Sequence, residues 1–384
     1  MSPDGGERLV QSPYLTAEHR DLRSRVRAAL EKLVLPDADR WEAQRHIPPE
    51  GWRALAGAGL FEFDHSGSGF LHSAVFLEEL GRTGYAGIRA AVGVHAYMAA
   101  SYLALFGTPD QQSAYLPAVH RGERVAALAI SERDAGSDLR SLRTRAVPDE
   151  DQGYRVTGTK CHVANGSQAG FFVTLARTRP DRSGADGLTG ASLLVVDADL
   201  PGVTRTAEPM LGWHAADICQ VDFEDVPVPA NRLLGRPERA LLQLMRALDF
   251  ERLVAGLLAV GGTIHCLDLL DAFVREHQVK GAPLSANQAV RHRIAELSSD
   301  LDLVRHYGYH AAWLHGQGLL DTRTASVLKL RATELAVAAA QACVQYHGAR
   351  GYLENATAAR LHRDALAGTI AGGPSELLRD LIFE

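Results

Sequence analysis

The chain has 384 residues, of which 46% are apolar and 22% charged, an ordinary composition for a globular protein with two or three packed units. The formal net charge is −6, so neither nucleic acid nor an anionic membrane surface is an expected partner. Four scattered cysteines argue against both a disulfide framework and a zinc site; they are Cys161, Cys219, Cys266 and Cys343.

The sequence also bears on compartment and on nucleotide binding. Its first residues lack the basic-then-apolar pattern of a secretory signal, and the longest apolar stretch, 253–264, is shorter than a bilayer requires. We therefore expect a soluble cytoplasmic protein. No GxGxxG or P-loop element follows a predicted strand, so neither a Rossmann-type nor a Walker-type site is expected.

Three zones follow one another along the chain. Residues 1–13 are polar and rich in proline and glycine, which predicts a flexible arm, and residues 14–122 carry apolar residues at helical spacing. Short β-branched segments bounded by turn residues run from 123 to 235 and predict a small antiparallel sheet domain. Helical spacing returns over 236–384 and predicts a four-helix bundle. Its segments lie near 237–277, 284–316, 320–347 and 374–382.

The fold class that follows is α+β with several domains, in the order helical, sheet, helical. Helices that are segregated from strands along the chain are typical of separate domains, whereas a doubly wound sheet alternates the two. We therefore expect an N-terminal α-helical domain, a middle antiparallel β-domain and a C-terminal four-helix bundle.

One carboxylate lies in the middle of an apolar helical stripe. With Glu251 at zero degrees and about 100° per residue, six apolar residues of the predicted helix fall within about 60° of it. They are Leu244, Ala247, Leu248, Val254, Ala255 and Leu258. A carboxylate in such surroundings loses hydration, so its pKa rises towards the range of a general base. The competing interpretation is a buried ion pair with Arg252 or with an arginine on a facing helix.

Two segments match short signatures of a known family. Residues 129–138 read Ala-Ile-Ser-Glu-Arg-Asp-Ala-Gly-Ser-Asp, and residues 345–352 read Gln-Tyr-His-Gly-Ala-Arg-Gly-Tyr. The first resembles an acyl-CoA dehydrogenase signature at every constrained position. The second resembles the other signature of that family, with Ala349 where glycine or serine is usual. Segments 107–117 and 212–235 are also similar to the family.

This resemblance, which covers residues 16–384 in order, implies a flavoprotein that oxidises the Cα–Cβ bond of an acyl thioester. A glutamate removes the α-proton while hydride leaves the β-carbon for flavin N5. Most of the family carries that glutamate near the C-terminus, where this chain has Gly372. The isovaleryl-CoA dehydrogenase branch carries it in a Leu-Asp-x-Glu-Arg-Leu element, which residues 248–253 match. The resemblance thus implies Glu251 as the base, with Arg252 and the backbone N–H of Gly372 as substrate contacts.

The family lays a loop of small residues and hydroxyls against the flavin ring and phosphates. The matching residues here are Leu128, Ile130, Ser131, Gly136 and Ser137, of which Ser137 is also an expected substrate contact. The next strand usually brings an aromatic residue to the ring face and a hydroxyl near N5. This chain has His162 and Ala164 at those two positions, so an imidazole replaces the aromatic ring and the hydroxyl is missing.

A neighbouring copy of the chain usually reaches the same FAD through an arm with an arginine, a Phe-Gly pair and a glutamine. The counterparts here are His277, Lys280-Gly281 and Gln288. Gln345 and Gly348 belong to the second signature, which the family places near the adenosine half. Pro374 replaces a flavin-side threonine and removes a backbone donor. Six positions depart from the family pattern: His162, Ala164, His277, Lys280, Ala349 and Pro374.

Three functions fit these observations, and FAD is the cofactor expected for the first two. The first is α,β-dehydrogenation of an acyl thioester carried by CoA or by an acyl or aminoacyl carrier protein, with an electron-transfer flavoprotein or oxygen as acceptor. The second is a flavin oxidase or monooxygenase, which His162 and Ala164 favour. The third is a non-catalytic family member, which the six departures favour. A shared FAD site implies a homodimer or homotetramer, and no metal is expected because the histidines are dispersed.

Overall fold

The first third of the protein is helical, as predicted. The computed structural model describes residues 12–62, 65, 67–149, 153–179 and 189–384. Its helices here are α1 (Ala17–Leu33), α2 (Ala38–Gln44), α3 (Pro49–Gly57), α4 (Phe70–Arg82), α5 (Ala86–Val92), α6 (Ala100–Phe106) and α7 (Pro109–His120). A π-helical turn, Gly93–Ala99, joins α5 to α6. The predicted arm lies outside the described residues except for Ser12, which is buried, and Pro13.

Strands occupy the middle of the chain. They are β1 (Val125–Ala129), β2 (Arg145–Asp149), β3 (Gly153–Val163), β4 (Ala169–Arg177), β5 (Ala191–Asp197), β6 (Val203–Ala207), β7 (Cys219–Pro229) and β8 (Leu233–Leu234). They form one sheet in the order β6-β7-β3-β2-β4-β5-β8, with β1 beside β4. Most neighbours are antiparallel, as predicted. The main exception is β1, which pairs with β4 in parallel because it enters from α7 rather than from a hairpin.

The last third returns to helices. They are α8 (Ala240–Glu276), α9 (Gln288–Gly316), α10 (Thr322–His347), α11 (Thr357–Gly368) and α12 (Ser375–Phe383). A short hairpin of β9 (Gln278–Val279) and β10 (Ala282–Pro283) separates α8 from α9. The long helices α8, α9 and α10 pack on one another, and α11 and α12 pack on α10. The four predicted segments correspond to α8, α9, α10 and α12. The sequence does not predict helix α11, because two of its four buried residues are alanines and its apolar spacing is therefore weak.

A close helix crossing joins the two helical domains. Helix α4 packs along α8, and their backbones approach where Gly81 faces Gly261. A Cβ atom on Gly261 would lie 2.0 Å from the carbonyl oxygen of Glu78, so no side chain fits there. From α9, Arg305 donates two hydrogen bonds of 2.8 and 2.6 Å to the buried Glu78 carboxylate. Helix α8 is therefore fixed on several sides, by α4, α9 and α10.

Among the residues that the structure describes, two helical segments are long and apolar enough to cross a membrane by length and composition alone, Ala86–Phe106 and Ala240–Glu276. The stretch 253–264 is thus only part of a longer apolar segment. The most apolar stretches of the two segments are 78% and 67% buried inside the protein. Interior packing therefore accounts for their apolar character.

Candidate active site

Helix α8 carries Glu251 into the interior. The residue is only 9% exposed, and the face around it is apolar, which confirms the predicted stripe. Its fully buried members are Leu244, Ala247, Val254 and Leu258, whereas Leu248 and Ala255 are half-buried. Both half-buried residues lie to the same side of Glu251 around the helix, so the stripe is less tightly covered along that edge.

The competing interpretation, an ion pair between Glu251 and Arg252, does not hold. Arg252 donates from Nη1 to Asp249 Oδ1 at 3.0 Å, one turn back on α8, and the other oxygen of Asp249 accepts from the Thr322 hydroxyl at 2.8 Å. Glu251 has no salt bridge within the described part of the chain. Burial raises the pKa of its carboxyl group to about 7, against smaller opposing effects of the Tyr102 hydrogen bond and the Arg252 charge.

The two carboxylate oxygens of Glu251 have different surroundings. Oε1 accepts a hydrogen bond from the Tyr102 hydroxyl at 2.9 Å. Oε2 accepts none from the residues that the structure describes, yet it is not among the polar atoms sealed in the interior without a partner. Oε2 is therefore the oxygen that remains accessible to a bound molecule.

Tyr102 is a site residue that the sequence pattern did not single out. It lies on α6, is 1% exposed and is 149 residues from its partner in the chain. Burial, together with the nearby Glu251 carboxylate, holds the pKa of the Tyr102 hydroxyl well above its usual range, so the hydroxyl stays protonated and donates. A tyrosine in an apolar helix is usually a core residue. Only the packing of α6 against α8 reveals which atom its hydroxyl contacts.

The loop after β1 begins beside the apolar residues that surround Tyr102. Leu128 and Ile130 are half-buried and pack against a set of core residues that includes both Tyr102 and Leu244. Tyr102 contacts Glu251 directly, and Leu244 lies two turns before Glu251 on α8. The structure thus brings the start of the predicted cofactor loop close to the helix that carries the carboxylate.

A buried ion pair fixes this loop to the sheet. Lys160 Nζ donates to Glu132 Oε1 at 2.9 Å and to the carbonyl oxygen of Ile130 at 3.0 Å. Beyond this anchor the loop opens to solvent: Ser131 is half-buried, and Gly136 and Ser137 are exposed. A Cβ atom on Gly136 would meet nothing within 4 Å, so the backbone there is open to a ligand.

His162 and Ala164 lie beside the loop, at the end of β3. The amide of Cys161 donates to the carbonyl oxygen of Ser131 at 3.0 Å, which joins strand and loop. His162 has a positive φ of 56°, and its amide donates to Glu208 Oε2 at 2.6 Å while its ring Nδ1 lies 3.2 Å from the same oxygen. With 62% of its side chain exposed, the imidazole keeps surface available for stacking. Ala164 is half-buried.

The loop between α11 and α12 carries Gly372. Lys329 Nζ, from α10, donates to the carbonyl oxygen of Gly373 at 2.6 Å, and Pro374 then precedes the first turn of α12. The Lys329 ammonium is near enough to Arg252 for their charges to interact, so this loop is anchored close to the helical turn of Glu251. Gly372 has φ +69°, and a Cβ atom there would meet nothing within 4 Å. Its N–H donates to no group in the described ranges and is free to bind a ligand.

The remaining predicted cofactor residues lie at the opposite end of α8. The 26 residues from Glu251 to His277 correspond to about 39 Å of helix. Phe273 stacks on His277 at 4.8 Å and on His347 at 3.9 Å, which places the end of α10 there too. Of the predicted residues in this region, His277 is half-buried and the others are exposed: Lys280, Gln288, Gln345, Gly348 and Ala349. One chain therefore separates its predicted cofactor residues into two groups.

Comparison with known proteins identifies the family. Three family profiles match in order: Acyl-CoA dehydrogenase, N-terminal domain, at residues 16–123; the middle domain at 127–226; and the C-terminal domain at 241–384. The chain belongs to the acyl-CoA dehydrogenase family. It is an FAD-dependent oxidoreductase that acts on CH–CH bonds. An acyl thioester substrate and an electron-transfer flavoprotein are typical of acyl-CoA dehydrogenases.

Individual acyl-CoA dehydrogenase relatives match over almost the whole chain. Probable acyl-CoA dehydrogenase YngJ of Bacillus subtilis (strain 168) is 31% identical over 376 residues, which cover 96% of this chain and 97% of that protein. An acyl-CoA dehydrogenase structure from Geobacillus kaustophilus has a TM-score of 0.90 at 32% identity, covering 97% and 98% of the two chains. The structure of the prolyl acyl carrier protein oxidase AnaB has a TM-score of 0.88 at 26% identity, covering 96% and 98%. The three-domain fold is thus confirmed.

Proposed function

We propose that this acyl-CoA dehydrogenase uses Glu251 as the base that removes the α-proton of an acyl thioester, as in the isovaleryl-CoA dehydrogenase type of the family. The observation that carries the proposal is the environment of Glu251. Its carboxyl group is buried, has no cationic partner among the described residues, and has a pKa raised to about 7. Gly372 occupies the alternative position for the base and cannot supply a carboxylate.

Glu251 takes the proton at Oε2. Tyr102 holds Oε1 and thereby orients the carboxylate, which leaves the second oxygen for the substrate. A buried carboxylate is a stronger base than one in water, because protonation removes a poorly solvated charge. As the C–H bond breaks, its electron pair moves towards the thioester carbonyl. FAD, when bound, supplies the acceptor for the hydride that leaves the β-carbon.

The carbonyl oxygen, on which negative charge develops, requires a hydrogen-bond donor. We assign this role to the N–H of Gly372, which has no other partner in the part of the chain that the structure describes. Arg252 is a proposed substrate neighbour through its Nε, a buried donor without a partner, and Ser137 through its exposed hydroxyl. The open space at Gly372 favours a branched, cyclic or aminoacyl group near the reacting carbons.

We propose that FAD lies between two copies of the chain. One copy contributes the group near Glu251: Leu128, Ile130, Ser131, Gly136, Ser137, His162 and Ala164. The other contributes the distal group: His277, Lys280, Gln288, Gln345 and Gly348. Open space for FAD is found in both groups, at Gly136 and at Gly348, where a Cβ atom would meet nothing within 4 Å. The separation of about 39 Å along α8 favours a homodimer or homotetramer, because one dinucleotide could not reach both groups of a single chain.

A visible spectrum followed by an anaerobic titration tests this function. We expect a yellow protein whose flavin absorbance bleaches on addition of an acyl thioester. Matched CoA-linked and carrier-linked thioesters with short branched and prolyl groups would show which carrier and acyl group are used. A colourless protein that takes up no added FAD would contradict the proposal and favour a non-catalytic role.

The second candidate function is that of an oxidase or monooxygenase on the same fold. Ala164 favours it, because the residue lacks the hydroxyl that the resemblance places near flavin N5, and the relative AnaB is named an oxidase. Oxygen consumption during turnover, with peroxide or an oxygenated product, would support this function. An enzyme that passes electrons to an electron-transfer flavoprotein but consumes little oxygen would contradict it.

Domain limits and compartment are also proposals. We propose domains at 14–122, 123–235 and 236–384; these limits are supported by the change from helices to strands after His120 and back to helices at Ala240. A cytoplasmic location is supported by the four cysteines, all of which are buried and free, as is usual in reducing compartments.

A further inference from the structure

A buried lysine lies behind the Gly372 loop. Lys329 is 0% exposed, and its Nζ donates to the carbonyl oxygen of Gly373 at 2.6 Å. It forms no salt bridge with any carboxylate in the described part of the chain. A buried ammonium without an acidic partner is costly, and proteins usually avoid it. A buried charge that is kept at this cost indicates a functional role for the Lys329 ammonium.

The charges around Lys329 are the second observation. Arg252 lies near it and opposes its charge, while Glu334 and Glu376 favour the charge from the solvent side. Desolvation is the largest effect and, with Arg252, lowers the pKa of Lys329 to about 8. The lysine is therefore mostly protonated at neutral pH and loses its charge in mildly alkaline solution.

We propose that Lys329 is a positioning residue for the reaction: it fixes the Gly372–Pro374 turn so that the Gly372 N–H meets the thioester carbonyl, and its charge favours the enolate. This inference rests on the proposed function, because it needs Glu251 to remove the α-proton. Before that step the charges of Glu251, Asp249, Arg252 and Lys329 cancel. When the α-C–H bond breaks, the proton goes to Glu251 and the electron pair to the carbonyl oxygen. The four groups then carry one net positive charge beside the new enolate.

Exchange of the α-proton with solvent deuterium tests the inference without hydride transfer. The probe is a CoA thioester whose β-carbon bears no hydrogen, incubated with the FAD-loaded enzyme in D2O and followed by mass spectrometry. Lys329→Met removes both the hydrogen bond and the charge, and we expect exchange to fall about ten- to a hundredfold, less than loss of a direct oxyanion donor. Lys329→Gln keeps a donor for Gly373 but no charge, so it should lose less.

The pH profile separates positioning from mere structural support. In the wild type we expect exchange to rise through about pH 7 as Glu251 deprotonates and to fall above about pH 8 as Lys329 loses its proton. Both Lys329 variants should lack the alkaline fall. If Lys329→Met does not fold, Lys329→Gln carries the test. Lys32→Met, an exposed lysine of α1, is the matched control and should exchange like the wild type.

The outcomes distinguish this inference from the proposed function. Slow exchange in Glu251→Gln and in both Lys329 variants, with the alkaline fall confined to the wild type, supports the inference. Wild-type exchange in the Lys329 variants, with Glu251→Gln inactive, overturns the role of Lys329 and leaves the base assignment intact. Undiminished exchange in Glu251→Gln overturns the proposed function and this inference with it.

Discussion

The surroundings of Glu251 on helix α8 and the distal end of the same helix differ in how many of the proposed contacts a single chain supplies. At the end near Glu251, the proposed base is buried, its Oε1 is held by Tyr102, and two anchored loops lie nearby. At the distal end, the predicted FAD contacts lie around a short hairpin and at the end of α10, and all but the half-buried His277 are exposed. One chain thus positions the proposed base by itself, whereas the proposed FAD contacts at the distal end would need the site of a second copy to be complete.

This difference indicates where substitutions should act. A buried, hydrogen-bonded group affects the reaction directly, because its charge state and orientation are set by a low-dielectric environment. An exposed cation contributes little to affinity, because water and salt screen it. We therefore expect large effects on chemistry at the Glu251 end and small effects on cofactor binding at the distal end.

The largest expected effect is that of Glu251→Gln. The amide cannot accept the α-proton, so flavin reduction by substrate should slow by about 10²–10⁴-fold, the usual contribution of a general base. Rapid-mixing absorbance of the flavin measures this rate. FAD content should stay unchanged, and Glu31→Gln, an exposed glutamate on α1, should behave like the wild type. Near-normal reduction in Glu251→Gln would refute the base assignment.

An intermediate effect is expected for Tyr102→Phe. The variant loses a hydrogen bond that favours the charged carboxylate, so the pKa of Glu251 should rise, by about one unit for a bond worth about 1.5 kcal/mol. The pH dependence of flavin reduction should move upward accordingly, and the rate at pH 7 should fall severalfold. Tyr115→Phe removes a similar bond, donated to Asp197 rather than to Glu251, and should leave the profile in place. An unmoved profile in Tyr102→Phe would show that the hydroxyl does not tune the base.

The smallest effect is expected for Lys280→Glu at the distal end. Reversal of one exposed charge should weaken FAD binding up to about fivefold, and less at high salt. Fluorescence titration of the apoprotein with FAD measures this change, and the rate of flavin reduction at saturating FAD should stay constant. Lys32→Glu is the matched control on α1. Loss of flavin reduction rather than of FAD affinity would mean that the two ends are not functionally separate.

The sequence predicts much of this architecture because hydrophobic periodicity is a local property. The stripe around Glu251 could be read at helical spacing, and the change from helices to strands is visible in composition. Helix α11 is not predicted from the sequence, because its buried residues are few and half of them are alanine. The parallel pairing of β1 with β4 is not predicted either, because it depends on how the chain enters the sheet and not on the spacing of apolar residues.

The contacts of the site could not be predicted in the same way. Tyr102 and Lys329 reach their partners across 149 and 44 residues, and no spacing rule links them. The resemblance to acyl-CoA dehydrogenases located Glu251 and Gly372, but not the groups that hold them. Arg252 pairs with Asp249 and not with Glu251, and this pairing also depends on side-chain orientation within one helical turn.

The rate of flavin reduction measured as a function of pH, in wild type and in Glu251→Gln, tests the central claim most directly. A base with a pKa of about 7 must be deprotonated to act, so the wild-type rate should rise about tenfold per pH unit below pH 7 and level off above it, before any alkaline fall. Glu251→Gln should be slow and lack this rise. A wild-type rate that is flat from pH 5 to 7, or a rise that persists in Glu251→Gln, would contradict the account.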